Sequence, residues 1–426
     1  MKIMHANDLP ESFFQYLDIE SLDAVHDIIE AVRRNGDEAL RHYTTAFDGV
    51  TPERFRVEPA AVKAAYARVD DDTVAAIQAA ADNIRAFAEL QKGQLSDFET
   101  ELRPGVFTGQ KVIPLRRVGV YVPGGAFPLV STLLMGVMPA LVAGVDEVAV
   151  CSPPSYEGDV HPVILVAADR VGVSEIYRVG GAQSIAAMAW GTASIPPVDK
   201  IVGPGNRYVA EAKKQVFGVV GIDLIAGPTE VMIVADDGGD PEVIAADLLA
   251  QAEHDRHASP LMVTTSRELA EAVSAAVARQ LPELTTREIA EAALEGQGCI
   301  ILVDDLVQAA DVVNRKAPEH LEVQLADLDA IVPMLRNFGS LFTGEWTAEV
   351  LGDYSSGINH TLPTNTTARY RGGLSVHDFL KIHTTLRVEP EGFDAIGPVA
   401  KQLAIAEGLD GHRLAVLRRM EKRGNG

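Results

Sequence analysis

From residue 22 the chain sets Leu22, Val25, Ile28, Ile29 and Val32 at helical spacing, with polar residues between them. The pattern predicts a helix buried on one side, capped by Ser21 and ended at Asn35 and Gly36. Residues 60–90 form a second, alanine-rich helical stretch. From residue 117 the period changes. Short apolar runs at 117–122, 147–151, 175–179, 200–202, 222–225 and 231–235 alternate with glycine-bearing turns and helical patterns. Such alternation predicts parallel strands with helices on both faces of the sheet. Asn206 is placed to cap a helix running through Val216, and Asp240 with Pro241 opens another that continues through His254. Residues 299–303 read as a strand. The helix at 309–316 must stop there, because Pro318 bars Ala317 from the helical region. Beyond residue 375 the chain reads as helices and one strand, and its last helix carries Arg413, Arg418, Arg419, Lys422 and Arg423, charges that suit a helix C-terminus.

Residues 118–145 carry no charge and are long enough to span a bilayer. Pro123, Gly124, Gly125, Pro128 and Pro139 interrupt them, so the segment is predicted to be a strand, a glycine turn and a buried helix. A chain of 426 residues exceeds a single core, which implies two or more domains. Its 47% hydrophobic and 23% charged residues are the balance of a globular protein. A formal net charge of −23 argues against nucleic acid or an anionic membrane as partner. The N-terminus lacks the apolar stretch of a signal peptide. Cys151 and Cys299 show no metal or redox spacing and read as buried thiols, which fits a reducing cytoplasm.

Seven of the eleven histidines lie at or beyond residue 254, which puts the polar chemistry in the second half. Four pieces set metal ligands beside acid–base groups: QAEH at 251–254, PEH at 318–320, Asp353 ahead of His360, and Glu407 ahead of His412. Gln251 and His254, three apart on one helix face, form either a ligand pair or a hydrogen-bonded helix end, with His257 as a competing ligand. Glu319 and His320, in the exit from a helix, can divide proton transfer and water activation, or be solvated turn residues. Asp353 and His360 flank a glycine-rich stretch that equally suits an ordinary turn. Together the pieces offer two imidazoles, a carboxylate and an amide without thiolates, a set suited to zinc rather than to calcium or magnesium. Gly125, Gly181, Gly205 and Gly227, at carboxyl ends of predicted strands, mark the walls of a nucleotide cleft, although none belongs to a dinucleotide fingerprint. Zinc does no redox chemistry, so a nucleotide cleft beside it points to a dehydrogenase with a bound dinucleotide.

The chain resembles the histidinol dehydrogenase family along its whole length. The resemblance is carried by YVPGG at 121–125, GGAQ at 180–183, GPGN at 203–206, AGPTE at 226–230, QAEH at 251–254, APEHLE at 317–322, GDY at 352–354 and NHTLPT at 359–364. It implies an α/β fold of two Rossmann-like doubly wound domains, with a short N-terminal arm (1–17) and a small C-terminal helical region (375–426). The first domain would be discontinuous (18–120 and 231–374), and the second (121–230) would hold NAD. The resemblance further implies one zinc ion per subunit, held by Gln251, His254, Asp353 and His412, with His412 and Glu407 contributed across a homodimer. NAD would contact Tyr121, Gln183 and Asn206. L-Histidinol would contact Ser131, Thr229, Glu349, His360 and Glu407 besides the metal ligands and His320. The implied reaction oxidises L-histidinol through the aldehyde to L-histidine in the cytoplasm, reducing two NAD; His320 is the base and Glu319 activates water. Thr229 stands where serine is frequent in the family, and Ile358 where proline or threonine is. A relative acting on another amino alcohol or a sulfonated diol is the alternative, and a zinc hydrolase using Glu319 and no cofactor is another.

Overall fold

The apolar runs after residue 117 become a five-stranded parallel sheet, and those after residue 230 a six-stranded one. The computed structural model describes residues 1–16, 22–124 and 128–424, so the Ser21 cap and Gly125 expected from the sequence fall outside the described residues. The chain divides into two compact units, one of residues 1–90 and 115–379, the other of residues 91–114 and 380–426.

In the larger unit the first sheet has the order Glu175–Arg178, Glu147–Ser152, Arg117–Tyr121, Lys200–Val202, Gly221–Ile222. Arg117–Tyr121 is buried at every residue, as a central parallel strand covered on both faces must be. Gly136 of helix Val130–Ala143 lies so close to Val120 that an added Cβ would approach it to 2.7 Å, while Gly119 is equally tight against Met188 on the opposite face. That second face is covered by helices Gly181–Trp190 and Arg207–Val216 and by the stripe Val25, Ile28, Ile29 and Val32 of helix Asp23–Asn35.

The second sheet has the order Lys2–His5, Cys299–Leu302, Ser259–Thr264, Glu230–Ala235, His320–Gln324, Ser340–Thr343, all parallel. Helices Pro241–Ala252, Arg267–Gln280 and Arg287–Gly296 cover one face, and helix Leu306–Lys316 the other. In both sheets the chain steps outward from its first central strand and returns on the other side of it, so each is doubly wound. The membership of the layers differs from the expected boundaries. Residues 2–5 of the N-terminal arm pair with Cys299–Leu302 as an edge strand, and residues 23–48 and 117–120 belong with the first sheet rather than the second. The apolar stripe of residues 25–32 finds its complement on helices 181–190 and 207–216, which a boundary drawn along the sequence does not reveal.

The smaller unit contains an antiparallel sheet in the order Leu380–Val388, Val106–Pro114, Phe98–Arg103, followed by helices Pro390–Ala406 and Asp410–Gly424. The one strand expected beyond residue 375 is thus present beside the C-terminal helices. This strand pairs along nine positions with residues 106–114, which were assigned to the first domain.

One loop of the first sheet is held by a buried ion pair. Gly203, at φ +114°, gives its N–H to Asp223 Oδ2 (2.7 Å), and its carbonyl accepts from Lys213 Nζ (2.8 Å). Lys213 and Asp223 also pair with each other, with side chains 2% and 0% exposed. Both ends of one residue's backbone are thus tied to a single pair of opposite charges. Replacing Lys213 with Met strands a buried carboxylate and is expected to cost about 3–5 kcal/mol. Urea unfolding checks this as a lowered midpoint at unchanged slope, and a loss of less than about 1 kcal/mol would show that solvent reaches the pair.

Candidate active site

Strand Glu230–Ala235 begins where the loop from the first sheet ends, and the backbone of its first residue organises the site. The Glu230 N–H donates to Glu319 Oε2 (2.9 Å), and the Glu230 carbonyl accepts from His320 Nδ1 (3.1 Å). Glu319 and His320 reach it because helix Leu306–Lys316 ends as expected, at Ala317 in the left-handed conformation (φ 51°), so that Pro318 turns the chain into strand His320–Gln324. Gly339 packs on this exit; an added Cβ would stand 2.4 Å from the Glu319 carbonyl oxygen.

With Nδ1 hydrogen-bonded to a carbonyl, His320 carries its proton there. Nε2 is buried and has no hydrogen-bond partner among the described residues, a lone pair at the wall of a cavity of about 510 Å³. Burial lowers the His320 pKa to about 4, against the pull of Asp353, so the imidazole is neutral at physiological pH. Burial pushes the Glu319 carboxyl well above the usual carboxylate range, although Thr229 Oγ1 lies 2.5 Å and the Glu230 N–H 2.9 Å from its Oε2. Glu349 is raised in the same way, by burial first and then by Asp353, Glu322 and Glu319 around it.

Helix Pro241–Ala252 stops two residues earlier than the sequence suggested. Gln251 is its fully buried penultimate residue, whereas His254 sits in the turn beyond, where Asp255 accepts the N–H of His257 at 2.8 Å. The two therefore do not share a helix face. The Gln251 amide satisfies its neighbours with nitrogen toward both Glu349 oxygens (2.9 and 3.0 Å) and oxygen toward Thr229 Oγ1 (2.7 Å). Thr229 then spends its one proton on Gln251, and Glu319 supplies the proton of the Thr229–Glu319 bond, which fits a carboxyl kept neutral by burial.

Helix Glu349–Tyr354 brings Glu349 and Asp353 together, one turn apart. Asp353 Oδ2 stands 4.0 Å from His254 Nε2 and Asp353 Oδ1 3.8 Å from His320 Nε2; Glu349 Oε2 lies 3.9 Å from His320 Nδ1. Ligand atoms of His254, Glu349 and Asp353 all lie within 4.8 Å of one another. Buried acids outnumber the bases, and an imidazole joins them. That donor set fits a divalent cation of borderline character such as zinc. The cluster includes Glu349, which the family resemblance assigns to substrate, while Gln251 stands one hydrogen bond behind it.

Ser131, Asn206, Thr229, His254, Glu319, His320, Asp353 and His360 line the cavity. The His360 pKa is lowered by burial, and its Nε2 has no hydrogen-bond partner. Its loop is pinned by Asn359 Nδ2 donating to the Met135 carbonyl (2.8 Å) and by Thr364 Oγ1 accepting from the Gly227 N–H (2.7 Å). Tyr121 and Gln183 are buried and are not among the cavity-lining residues, although Tyr121 packs close to Gly205 and Gln183 Oε1 is buried without a partner. Asn206 caps helix Arg207–Val216 by accepting from the N–H groups of Tyr208 (3.0 Å) and Val209 (3.2 Å), so that helix end is already satisfied by protein. Glu407 and His412 belong to the smaller unit, where both are exposed.

The carboxyl-end rule describes half of the site. Asn206 and residues 224–229 follow strands of the first sheet, but Thr229, Glu319 and His320 stand at the amino ends of central strands of the second. Sequence reasoning gave Glu322 and Gln324 no role, although polar residues alternating with Leu321, Val323 and Leu325 on an interior parallel strand had to be buried.

A family model described as histidinol dehydrogenase matches residues 15–420. The histidinol dehydrogenase of Lactiplantibacillus plantarum is 46% identical over 407 residues, covering 96% of this chain and 94% of its own. That of Geobacillus kaustophilus is 48% identical over 403 residues, covering 95% of each chain. The crystal structure of histidinol dehydrogenase from Elizabethkingia anophelis superposes with a TM-score of 0.94 at 36% identity, covering 99% of this chain and 98% of the other.

Proposed function

The chain belongs to the histidinol dehydrogenase family, and we propose that it oxidises L-histidinol to L-histidine, using NAD and a zinc ion. The observation that carries this reading is the neutral His320, whose Nε2 lone pair lies at the cavity wall 3.8 Å from Asp353 in the cation cluster. It is a base oriented before any substrate arrives.

His254 and Asp353 would hold zinc, with Gln251 and, across a homodimer, His412 of the partner subunit. The ion would supply a Lewis acid that fixes the polar groups of the substrate. NAD, accepting one hydride in each of two steps, would lie against the loops that carry Tyr121, Gln183 and Asn206; the unpartnered Gln183 Oε1 is an acceptor suited to it. Glu349 balances the substrate amine. His360, with its free Nε2, faces the imidazole side, and Ser131, Thr229 and Glu407 of the partner subunit complete the contacts. His320 takes the hydroxyl proton at Nε2 as the carbinol carbon loses hydride, which gives the aldehyde. Water then adds to the aldehyde carbon, with Glu319 receiving its proton; the carboxyl that burial keeps neutral without a cation would be ionised beside the bound ion, and its raised proton affinity suits it to that task. His320 removes a proton from the hydrated aldehyde as the second hydride leaves, which gives the carboxylate. One water is consumed and two NAD are reduced.

The test is direct. Purified protein loaded with zinc and mixed with L-histidinol and NAD is expected to form two NADH per histidinol, read by absorbance; a flat trace with histidinol but a rise with another amino alcohol or a sulfonated diol would overturn the assignment. Replacing His254 with Asn is expected to strip zinc and activity together, and full zinc stoichiometry by elemental analysis would contradict its role as a ligand. Replacing Glu319 with Gln is expected to slow oxidation of the aldehyde more than that of the alcohol, since only the former needs activated water. Equal losses on the two substrates would refute that division of labour.

A further inference from the structure

Glu322 lies two positions beyond His320 on strand His320–Gln324 and is 1% exposed. Its Oε1 accepts the backbone N–H of Glu349 at 2.8 Å, and its Oε2 accepts from Gln324 Nε2 at 3.1 Å. Gln324 Nε2 in turn donates to Asp247 Oδ2 at 3.0 Å. The N–H that Glu322 receives is the first of helix Glu349–Tyr354, whose own cap position is Ala348, a residue with no side chain able to bond a free N–H. The cap therefore comes from a neighbouring strand.

The helix is seated at a second point. Gly352 lies against the ring of Phe342, and a Cβ there would come within 2.7 Å of Phe342 Cε1. Phe342 is the register partner of Glu322 on the adjacent strand. So the strand that holds His320 also holds the start of the helix that carries Glu349 and Asp353. A six-residue helix has few hydrogen bonds of its own with which to resist sliding.

We propose that Glu322 is a positioning residue: by accepting the Glu349 N–H it sets the register of helix Glu349–Tyr354 so that Asp353 meets His254 at the cation and Glu349 faces the substrate amine. The inference rests on the reading of this cluster as the zinc site. What the site requires of Glu322 is an acceptor atom at that place, and the charge is incidental. Glutamine supplies such an acceptor, and the facing Gln324, whose Oε1 has no partner, can turn its amide to meet the new NH2 group. Aspartate keeps the charge but withdraws the acceptor by one methylene.

The experiment compares E322Q and E322D with the parent as full-length, zinc-loaded protein. Zinc release to a chromogenic chelator, the KM for histidinol and the thermal midpoint are measured. E322Q is expected to retain zinc like the parent. E322D is expected to bind it about 10–100-fold more weakly, the scale seen when a group that orients a metal ligand is lost. E322D is also expected to raise KM by more than it lowers kcat. Parent-like zinc retention in E322D, or loss in E322Q equal to that in E322D, would overturn the proposal while leaving the zinc reading intact. A parent protein that takes up no zinc overturns the underlying reading and this proposal together.

Discussion

Two hydrogen bonds to the backbone of one residue govern the chemistry of this protein. The Glu230 N–H faces Glu319 and the Glu230 carbonyl faces His320, so the acid and the base are oriented by the two peptide groups that flank a single strand residue. Glu230 can do this because it opens a central parallel strand, and His320 opens the strand beside it. Register within a parallel sheet leaves little freedom, since a slip of one residue would turn His320 to the other face. The side chain of Glu230 is tied in turn to Lys316 at 3.1 Å, which holds the same residue from the end of helix Leu306–Lys316.

The placement of carboxyl groups explains the electrostatics. Glu319, Glu322, Glu349 and Asp353 are all buried around His320, and burial raises the first three above the ordinary carboxylate range. Packed this closely without a cation, Glu319, Glu322 and Glu349 favour protonated, hydrogen-bonded forms. A divalent ion would offset the same crowding. The neutral imidazole of His320 amid so many acids is the reverse of what a pairwise ion-bridge count suggests, because desolvation outweighs the attraction of Asp353.

Local signals were the legible part of this chain. The strands at 117–121, 147–152, 175–178, 200–202 and 230–235, the Asn206 cap, and the stop at Ala317 and Pro318 rest on periodicity and backbone sterics and appear where the residues put them. Of the run at 222–225, by contrast, only Ile222 is in a strand. The helix that ends at Ala252 gave no warning, since Ala252 and Glu253 are good helix formers and the break arises from the turn around Asp255. The helix of residues 23–35 was legible as a helix, but not its seat against the helices of the first sheet, which depends on which apolar surface is left uncovered. Glu322 was legible only as a motif letter. Its partner, the Glu349 N–H, becomes a neighbour solely through the pairing of strands 320–324 and 340–343 and the helix that follows.

The three-stranded sheet of the smaller unit has a consequence for how the chain is made. Residues 98–114 form a hairpin early in synthesis, yet the strand that covers its open side, residues 380–388, emerges only after the whole of the larger unit. Through that interval the nascent hairpin exposes a row of unsatisfied amides and carbonyls, the kind of edge that recruits a stray strand from another polypeptide. Lys111 lies on that waiting strand and gives it a charge that discourages such adhesion.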